Sequence, residues 1–281
     1  MARSARDKSE KRPLAVVTGA SSGIGLEYAE RLAVMGYDLV VVARRRGRLE
    51  SVASQLEGDC GATVDVMPAD LTRAADLRKV EDRVRSSPRL EVLVNAAGFG
   101  TVGEFAGVEV DRIESEIALN VTALVRLTRA AVPGMTARKT GSIVNVSSMA
   151  SFQPNPFFAT YGASKAYVTS FTEALSAELA EQGVYLQALC PGPVRTEFGQ
   201  VAGIASDVFP SFAYSSASQV VDASVRAMER REVICVPGAV ESLLVSVIDL
   251  LPRWFVRRAS IGLTRRFLGE RTSATPSFSE Y

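Results

Sequence analysis

Residues 13–36, PLAVVTGASSGIGLEYAERLAVMG, predict a strand, a glycine-rich turn and a helix in direct succession. The run at 14–17 is continuously apolar, as expected for a short strand that is buried on both faces. Small and apolar residues then recur at helical spacing from residue 26 to residue 36. This order of elements is the opening of a β-α-β unit.

The turn between strand and helix carries three glycines in the pattern Gly-x-x-x-Gly-x-Gly. Gly19 would permit the tight turn, Gly23 would let the backbone approach a pyrophosphate, and Gly25 would let helix and strand pack closely. The N–H groups and the dipole of the helix N-terminus would then face the phosphates. The pattern predicts a dinucleotide site, and the alternative is a loop that merely contains three glycines.

A second apolar run, residues 38–43, is followed directly by three arginines. In a dinucleotide-binding fold this strand end meets the adenosine ribose, where an acidic residue selects NAD and an arginine accommodates the 2′-phosphate of NADP. Ala43 holds the acidic position and Arg44 follows it. Because a guanidinium binds phosphate through paired hydrogen bonds, NADP(H) is the predicted cofactor. The alternative is a basic first turn of the next helix.

Apolar strand-like runs and helical patterns alternate along the rest of the chain, which predicts a parallel sheet covered on both faces. The expected architecture is α/β: a doubly wound, seven-stranded parallel Rossmann sheet in a single domain with a helical C-terminal extension. Further strands are predicted at 62–70, at 90–94 running into a loop that begins at 95, at 141–148, at 184–190 and at 233–237, and helices at 48–57, 73–87, 109–135 and 160–183.

Polar and small residues follow most of these strands. Ligands of open parallel sheets bind outside the carboxyl ends of the strands, so these residues are expected to gather at one edge. Asp70 would accept the adenine amino group or cap the helix that begins near Thr72. Asn120 lies in the middle of a predicted helix, where asparagine is unfavourable unless it has a particular role or is simply a surface amide.

Tyr161 and Lys165 are four residues apart in YGASK, so a helix places them on one face. A phenol alone is a poor proton donor or base at neutral pH, and an ammonium beside it would lower its pKa. The spacing predicts a proton-transfer pair for a carbonyl or an alcohol. The alternative is a packed ring beside a solvated amine.

Composition excludes several classes of function. The chain has 281 residues, 32 basic and 31 acidic, with a net charge of +1, so no nucleic-acid partner is expected. Histidine is absent, which removes every mechanism that depends on it. The three cysteines, Cys60, Cys190 and Cys235, predict neither a disulfide framework nor a metal site, and they favour a reducing, cytoplasmic setting. The polar N-terminus does not read as a secretory signal.

Taken together, TGASSGIG, NAAG, the serine at the end of the fifth strand, YGASK and PGPVRTE resemble the motifs of the short-chain dehydrogenase/reductase family, in its order and approximate spacing, over about residues 13–236. The resemblance implies that Tyr161 is the general acid/base and that Lys165 lowers its pKa and holds the nicotinamide ribose. It implies that Ser148 orients the substrate, with Ser147 the weaker candidate, and that Asn120 supports a water-linked proton relay.

The same resemblance implies a cofactor-binding set and a reaction. The reaction is the NADP(H)-dependent interconversion of a carbonyl and an alcohol. The alternatives are an NADP(H)-binding regulator and a membrane-associated scaffold, both without turnover. The implied cofactor-binding residues are Gly19, Ser21, Ser22, Gly23, Ile24, Gly25, Arg44, Asp70, Leu71, Asn95, Ala96, Gly98, Tyr161, Lys165, Pro191, Gly192, Val194 and Thr196.

The chain divides into a disordered polar tail at 1–12, a catalytic domain at 13–238, an amphipathic basic extension at 239–271 and a polar tail at 272–281. Within the domain, 194–218 corresponds to the family's substrate lid, and its many apolar residues predict an apolar ketone or alcohol substrate. The family commonly forms homodimers or homotetramers through the helices around Asn120 and Tyr161. The extension is expected to pack on a partner subunit or its own domain, with peripheral membrane contact as the alternative.

Overall fold

A computed structural model describes residues 11–204 and 213–268. The predicted tail up to residue 10, part of the predicted lid, 205–212, and the segment 269–281 lie outside the described residues. Arg12, expected to belong to the tail, donates from its guanidinium to the carbonyl of Cys60 at 3.0 Å. Arg12 therefore contacts the folded domain in this structure.

Seven parallel strands form one sheet, as predicted, and their order is β3-β2-β1-β4-β5-β6-β7. The order reverses beside β1, between β1 and β4, and this is where ligands bind in doubly wound sheets. The strands are β1 (Leu14–Thr18), β2 (Asp38–Ala43), β3 (Val64–Pro68), β4 (Leu90–Asn95), β5 (Gly141–Val146), β6 (Val184–Leu189) and β7 (Ile234–Cys235).

Helices cover both faces of this sheet. The described helices are α1 (Gly23–Val34), α2 (Arg46–Cys60), α3 (Ala74–Arg85), α4 (Val110–Ile117), α5 (Leu124–Arg138), α6 (Ala159–Leu179), α7 (Phe198–Ala202), α8 (Ala217–Glu229), α9 (Ala239–Leu250) and α10 (Arg253–Leu268). Residues of α1, α2 and α8 form one buried cluster with the sheet, and residues of α3, α5 and α6 form the other.

Neighbouring strand residues point to opposite clusters. Val17 and Val41 belong to the first cluster, while Val16 and Val40 belong to the second. Both faces of each central strand are therefore buried, and this is why these strands are continuously apolar rather than alternating.

The glycine turn brings α1 against β1 at a distance that excludes a side chain. A Cβ atom at Gly25 would lie 2.4 Å from the carbonyl oxygen of Gly19, and Gly19 itself has a φ of +70°. Both residues are fixed by backbone geometry rather than by a side-chain contact, because backbone atoms cannot move aside as a flexible side chain can.

Two predicted elements differ from the structure. The single helix expected at 109–135 contains a π-helical segment, Ala118–Ala123, between α4 and α5. The fifth strand, expected to end at Ser147 and Ser148, ends at Val146, and Met149–Phe152 form a 3₁₀ turn capped by the Ser148 hydroxyl, which accepts from the Ala150 N–H at 3.1 Å. A π segment has wider i→i+5 bonding without a composition of its own, so helical periodicity does not reveal it.

The C-terminal extension consists of α9 and α10 over the described residues. No helix within the described part of the chain is both long and apolar enough to cross a bilayer.

Candidate active site

The glycine turn and the loop after β4 are joined by Thr18, the last residue of β1. Its hydroxyl accepts from the N–H groups of Ala96 and Ala97, both at 3.1 Å, and lies 3.3 Å from the Val94 carbonyl. Thr18 is buried and was missed by sequence reasoning, although it directly precedes the first glycine of the motif. It holds two cofactor-facing loops at a fixed separation.

Gly23 and Thr196 bring the loop after β6 to the same place. A Cβ atom at Gly23 would lie 2.9 Å from the Thr196 side chain. The neighbouring Pro191 accepts from the Met149 N–H at 3.0 Å, so the 3₁₀ turn after β5 is tied to this loop as well. The predicted loops after β1, β5 and β6 therefore meet at one edge of the sheet, as expected for parallel strands.

Arg45, rather than Arg44, reaches the serines of the glycine turn. Its guanidinium donates to the Ser21 hydroxyl at 3.1 Å and to the Ser22 hydroxyl at 3.2 Å. It also pairs with the Glu197 carboxylate at 2.8 Å, which Arg48 contacts from the other side. The hydrogen bond from Arg45 and the charge of both arginines lower the pKa of Glu197 to about 2. This cluster can hold an anion, so its chemistry fits the 2′-phosphate of NADP(H).

Two predicted cofactor residues carry their side chains elsewhere. The Asn95 amide is buried and donates to Thr128 at 3.1 Å and to Asn145 at 2.9 Å, which places it in a polar chain inside the domain. Asp70 accepts from both the N–H and the hydroxyl of Thr72, at 3.0 and 2.7 Å. Helix α3 begins at Ala74 without a side-chain cap, so the helix-capping alternative for Asp70 is not observed.

The remaining predicted cofactor-binding residues lie either in the two apolar clusters or in the loops at the carboxyl edge of the sheet. Leu71 is buried in the second apolar cluster and Ile24 packs against the first. Gly98 lies where a Cβ would approach the Asn120 amide oxygen to 3.0 Å and the Lys165 ammonium to 3.5 Å. A Cβ atom at Gly192 would approach the Met149 side chain. Val194 forms an isolated parallel β-bridge with Ser215, so the two ends of the predicted lid segment lie side by side. Predicted lid residues Phe209 and Phe212 lie outside the described residues.

Tyr161, Lys165, Ser148 and Asn120 come together beside these loops. The Tyr161 ring stacks on Phe158 with centroids 4.3 Å apart and meets Phe198 at 5.3 Å. The Lys165 ammonium donates to the Val146 carbonyl at 2.7 Å and lies 5.6 Å from the Tyr161 ring centre. Helix α6 therefore presents both groups to the end of β5.

Asn120 is buried in the π segment, and both the nitrogen and the oxygen of its side-chain amide are hydrogen-bonded. Its amide nitrogen donates to the Phe99 carbonyl at 2.8 Å and to Ser164 at 3.1 Å, and its oxygen accepts from the Phe99 N–H at 3.1 Å. The surface-amide alternative is therefore wrong. Asn120 clamps the loop after β4 to α6.

Ser147 and Ser148 have different surroundings. Ser147 is buried, donates to the Lys165 carbonyl at 2.9 Å and lies 2.7 Å from the Thr169 hydroxyl, so it supports α6. Ser148 hydrogen-bonds the Tyr161 phenol, which favours the phenolate.

The electrostatics of the pair differ from the expectation. Burial raises the pKa of Tyr161 well above its ordinary value, and the Ser148 hydrogen bond only partly opposes this. Burial also lowers the pKa of Lys165 to about 8. Lys165 is expected to bring the Tyr161 pKa toward the working range, whereas within this chain alone burial of the phenol has the largest effect on that pKa and acts in the opposite direction.

Comparisons with known proteins agree with this arrangement. A hydroxysteroid dehydrogenase-like protein 1 from Gallus gallus is 33% identical over 202 residues, which cover 70% of this chain. The alignment spans 61% of that relative's length. A very-long-chain 3-oxoacyl-CoA reductase from Anas platyrhynchos is 34% identical, and its alignment spans 62% of that relative's length. Both curated relatives are therefore considerably longer than the matched region.

Two solved structures cover 96% of this chain, including its C-terminal helices. A short-chain dehydrogenase from Sphingobium yanoikuyae in complex with NADPH is 36% identical, with a TM-score of 0.78 over 99% of its chain. A bulky-bulky ketone specific alcohol dehydrogenase from Comamonas testosteroni is 32% identical, with a TM-score of 0.74 over 100% of its chain. The sequence model described as short chain dehydrogenase matches residues 13–205. With its glycine turn, its Tyr161–Lys165 pair and its seven-stranded sheet, the chain belongs to the short-chain dehydrogenase family.

Proposed function

We propose that this chain is an NADP(H)-dependent oxidoreductase that interconverts a carbonyl and an alcohol on a bulky, apolar substrate. The observation that carries the proposal is the meeting of Tyr161, Lys165 and Ser148 beside a glycine turn with an anion-binding arginine. Such a site joins a proton donor to a dinucleotide cradle, and that combination serves carbonyl reduction.

Each of these residues would have its own role in the reaction. The cofactor, when bound, supplies or accepts the hydride. The Tyr161 hydroxyl would donate its proton to the oxygen that gains negative charge, and the Ser148 hydroxyl would hydrogen-bond the same oxygen. The Lys165 ammonium would stabilise the Tyr161 phenolate that remains. Asn120 would act through Phe99 and Ser164, by fixing the loop and helix that flank the pair.

The cofactor cradle would be formed by the glycine turn, with Arg45 and the hydroxyls of Ser21 and Ser22 at the 2′-phosphate. In this structure the Glu197 carboxylate forms an ion pair with Arg45. A bound 2′-phosphate would therefore either displace this carboxylate from Arg45 or bind beside it. Arg44, on the adjacent residue, is the second candidate for the same phosphate. Support comes from the Sphingobium structure, which holds NADPH.

An apolar substrate is supported by the walls of the site. The Tyr161 ring contacts both Phe158 and Phe198, and the loop held by Asn120 passes close to them at Gly100, where a Cβ atom would lie 2.5 Å from the Phe158 ring. The names of two similar proteins refer to hydroxysteroids and to bulky ketones. Burial of such surface contributes about 25 cal/mol for each Å² removed from water.

A carbonyl screen with NADPH tests this proposal. We expect kcat/KM for bulky apolar ketones, such as aryl or polycyclic ketones, to exceed that for small keto acids by about 100-fold, equivalent to burying a few methylene groups. The measurement is the loss of NADPH absorbance at matched substrate concentrations. A preference for small charged ketones would contradict an apolar site. NADPH binding without turnover of any carbonyl would favour the regulator alternative.

We further propose that the chain forms homo-oligomers, with a second copy covering the apolar stripe of α9. The stripe is a run of exposed side chains spaced three and four residues apart, so they share one helix face. Its only charged neighbour with a described side chain, Glu241, turns toward Gly238 rather than along the face. The stripe consists of Val240, Leu243, Leu244, Val247, Leu250 and Leu251.

Leu244→Lys is expected to weaken self-association by about 100-fold, because each copy buries one leucine worth about 1.5 kcal/mol or more. Light scattering after size exclusion, over a range of protein concentrations, measures the effect. Ser242→Lys, exposed on the same helix and not three or four residues from any member of the stripe, is the control and should leave the assembly unchanged. A monomeric wild type that floats with anionic vesicles at low salt would instead assign the stripe to a membrane surface.

The helices around Asn120 and Tyr161 offer a second surface for a tetramer, with Ile117 and Tyr167 exposed on α4 and α6. A cytoplasmic location is also part of the proposal, and it is supported by the free thiols of Cys60, Cys190 and Cys235.

A further inference from the structure

Glu116 is a buried carboxyl group that the mechanism above does not use. It lies in the last turn of α4, four residues before Asn120, and is 0% exposed. Neither of its carboxyl oxygens has a hydrogen-bond partner. Buried polar groups are almost always paired, and an unpaired carboxylate in the interior is costly, so its retention calls for a reason.

The groups that face Glu116 come from three elements. Arg112 lies one turn earlier on α4, Thr101 lies on the loop after β4, and Tyr161 and Lys165 lie on α6. Arg112 uses its guanidinium elsewhere: it donates to the Thr101 hydroxyl at 3.1 Å and to the Val201 carbonyl at 3.0 Å. Glu116 is therefore close to two cations without a direct hydrogen bond to Arg112.

A small cavity adjoins this carboxyl group. Glu116 lines it together with Thr101, Phe157 and Thr160, and the exposed Phe105 stands at its rim. The cavity offers about 40 Å³ to water centres, which is room for about three water molecules. Most of the other lining is apolar, so water in the cavity, the Thr101 hydroxyl and the charges of Arg112 and Lys165 are what would lower the cost of charging this carboxyl group.

The charge of Glu116 acts on both members of the catalytic pair. Burial raises the pKa of Glu116, while the Thr101 hydroxyl and the charges of Arg112 and Lys165 oppose that rise. In turn, a negative charge on Glu116 raises the pKa of Tyr161 and that of Lys165. Cys190 also faces Lys165, but burial raises its thiol pKa, so that thiol stays neutral.

We propose that Glu116 is a positioning residue of the active site, whose buried carboxylate keeps Lys165 charged and Tyr161 protonated. This rests on the function proposed above for Tyr161 and Lys165. Glu116 acts through those two groups and does not touch the reacting atoms. It thereby sets the pH at which the pair changes from proton donor to proton acceptor.

The direction of the effect follows from the charge. When an amide replaces the carboxylate, a negative charge is lost, the ammonium of Lys165 is less favoured and the phenolate of Tyr161 is more favoured. Both pKa values fall. Alcohol oxidation, which needs the phenolate as base, should therefore reach half of its maximal rate at a lower pH in Glu116→Gln than in the wild type.

The first test is an NMR titration of Lys165 in protein labelled with ¹³C-lysine, and it needs no turnover. The chain has only five lysines, so the Lys165 signal can be assigned by its loss in Lys165→Met. In Glu116→Gln we expect the Lys165 titration midpoint to fall by about one pH unit, as one partly screened buried charge implies. Glu114→Gln, on the same helix but exposed, should titrate as the wild type does.

An unchanged Lys165 midpoint in Glu116→Gln would overturn the inference. If the glutamine variant does not fold, Glu116→Met fills a similar volume without the charge and answers the same question. The pH profile of alcohol oxidation is the second readout, with the same control. A wild type that oxidises no alcohol would contradict the proposed function, while the lysine titration would still decide the role of Glu116.

Discussion

Tyr161→Phe lowers kcat/KM for carbonyl reduction with NADPH by about 1,000-fold or more, while the affinity for NADPH stays within about twofold. The substitution removes only the hydroxyl that would donate the proton. The ring contacts with Phe158 and Phe198 involve carbon atoms and remain. Lys165 keeps its hydrogen bond to the Val146 carbonyl, so the cofactor-facing groups stay in place.

Three measurements separate chemistry from folding in this variant. Steady-state rates give the loss of kcat/KM, fluorescence titration gives NADPH affinity, and a thermal melt gives stability. Tyr167→Phe is the matched control, since Tyr167 lies on the same helix but is exposed and stacks on Phe171 instead. Near-normal turnover of Tyr161→Phe would show that another group donates the proton. Loss of the thermal unfolding transition would show that the hydroxyl is needed for folding.

Arg45→Ala is expected to weaken NADPH binding by about 10- to 150-fold, which corresponds to a charged hydrogen bond worth about 1.5–3 kcal/mol. NADH binding should change little, because NADH lacks the 2′-phosphate. The structural reason is the position of Arg45, which donates to the hydroxyls of Ser21 and Ser22 at the glycine turn.

Arg44→Ala provides the decisive comparison, because the position after the strand end singles out Arg44 while the side-chain contacts single out Arg45. Fluorescence titration of both variants with NADPH and NADH distinguishes them. Arg46→Ala, whose exposed side chain pairs with Glu50, is the control. A loss confined to Arg44→Ala would assign the phosphate to Arg44 and leave Arg45 as the anchor of Glu197. Preferred NADH binding by the wild type would reject the NADP(H) assignment altogether.

The sheet was predictable because its signals are local. Each strand is a short apolar run between turn residues, and burial on both faces makes that run continuous rather than alternating. The glycines at 19 and 25 follow from the same logic, since Gly19 has a positive φ and a Cβ atom at Gly25 would lie only 2.4 Å from the Gly19 carbonyl oxygen. Parallel strands then bring their carboxyl ends to one edge, so the neighbourhood of Ser148, Tyr161 and Thr196 could be predicted as well.

Side-chain direction was not predictable from the same signals. Asn95 ends β4 at the expected edge, yet its amide points into the core and meets Asn145. Arg44 and Arg45 are adjacent in sequence, and only the path of the backbone before α2 decides which one reaches the serines of the glycine turn. Glu116 is one of several charged residues of the helix predicted at 109–135, and nothing in that pattern indicates that it is fully buried in the folded chain.

The sequence by itself therefore determined the order of strands and helices, the glycine turn and the identity of the tyrosine–lysine pair. Only the tertiary structure decided the surroundings that shift the pKa values of that pair. Burial raises the pKa of Tyr161 and lowers that of Lys165, and Glu116, 49 residues before Lys165 in the chain, acts on both. Periodicity and turn signals arise between near neighbours in sequence, whereas desolvation and charge coupling depend on residues that are brought together only when the chain has folded.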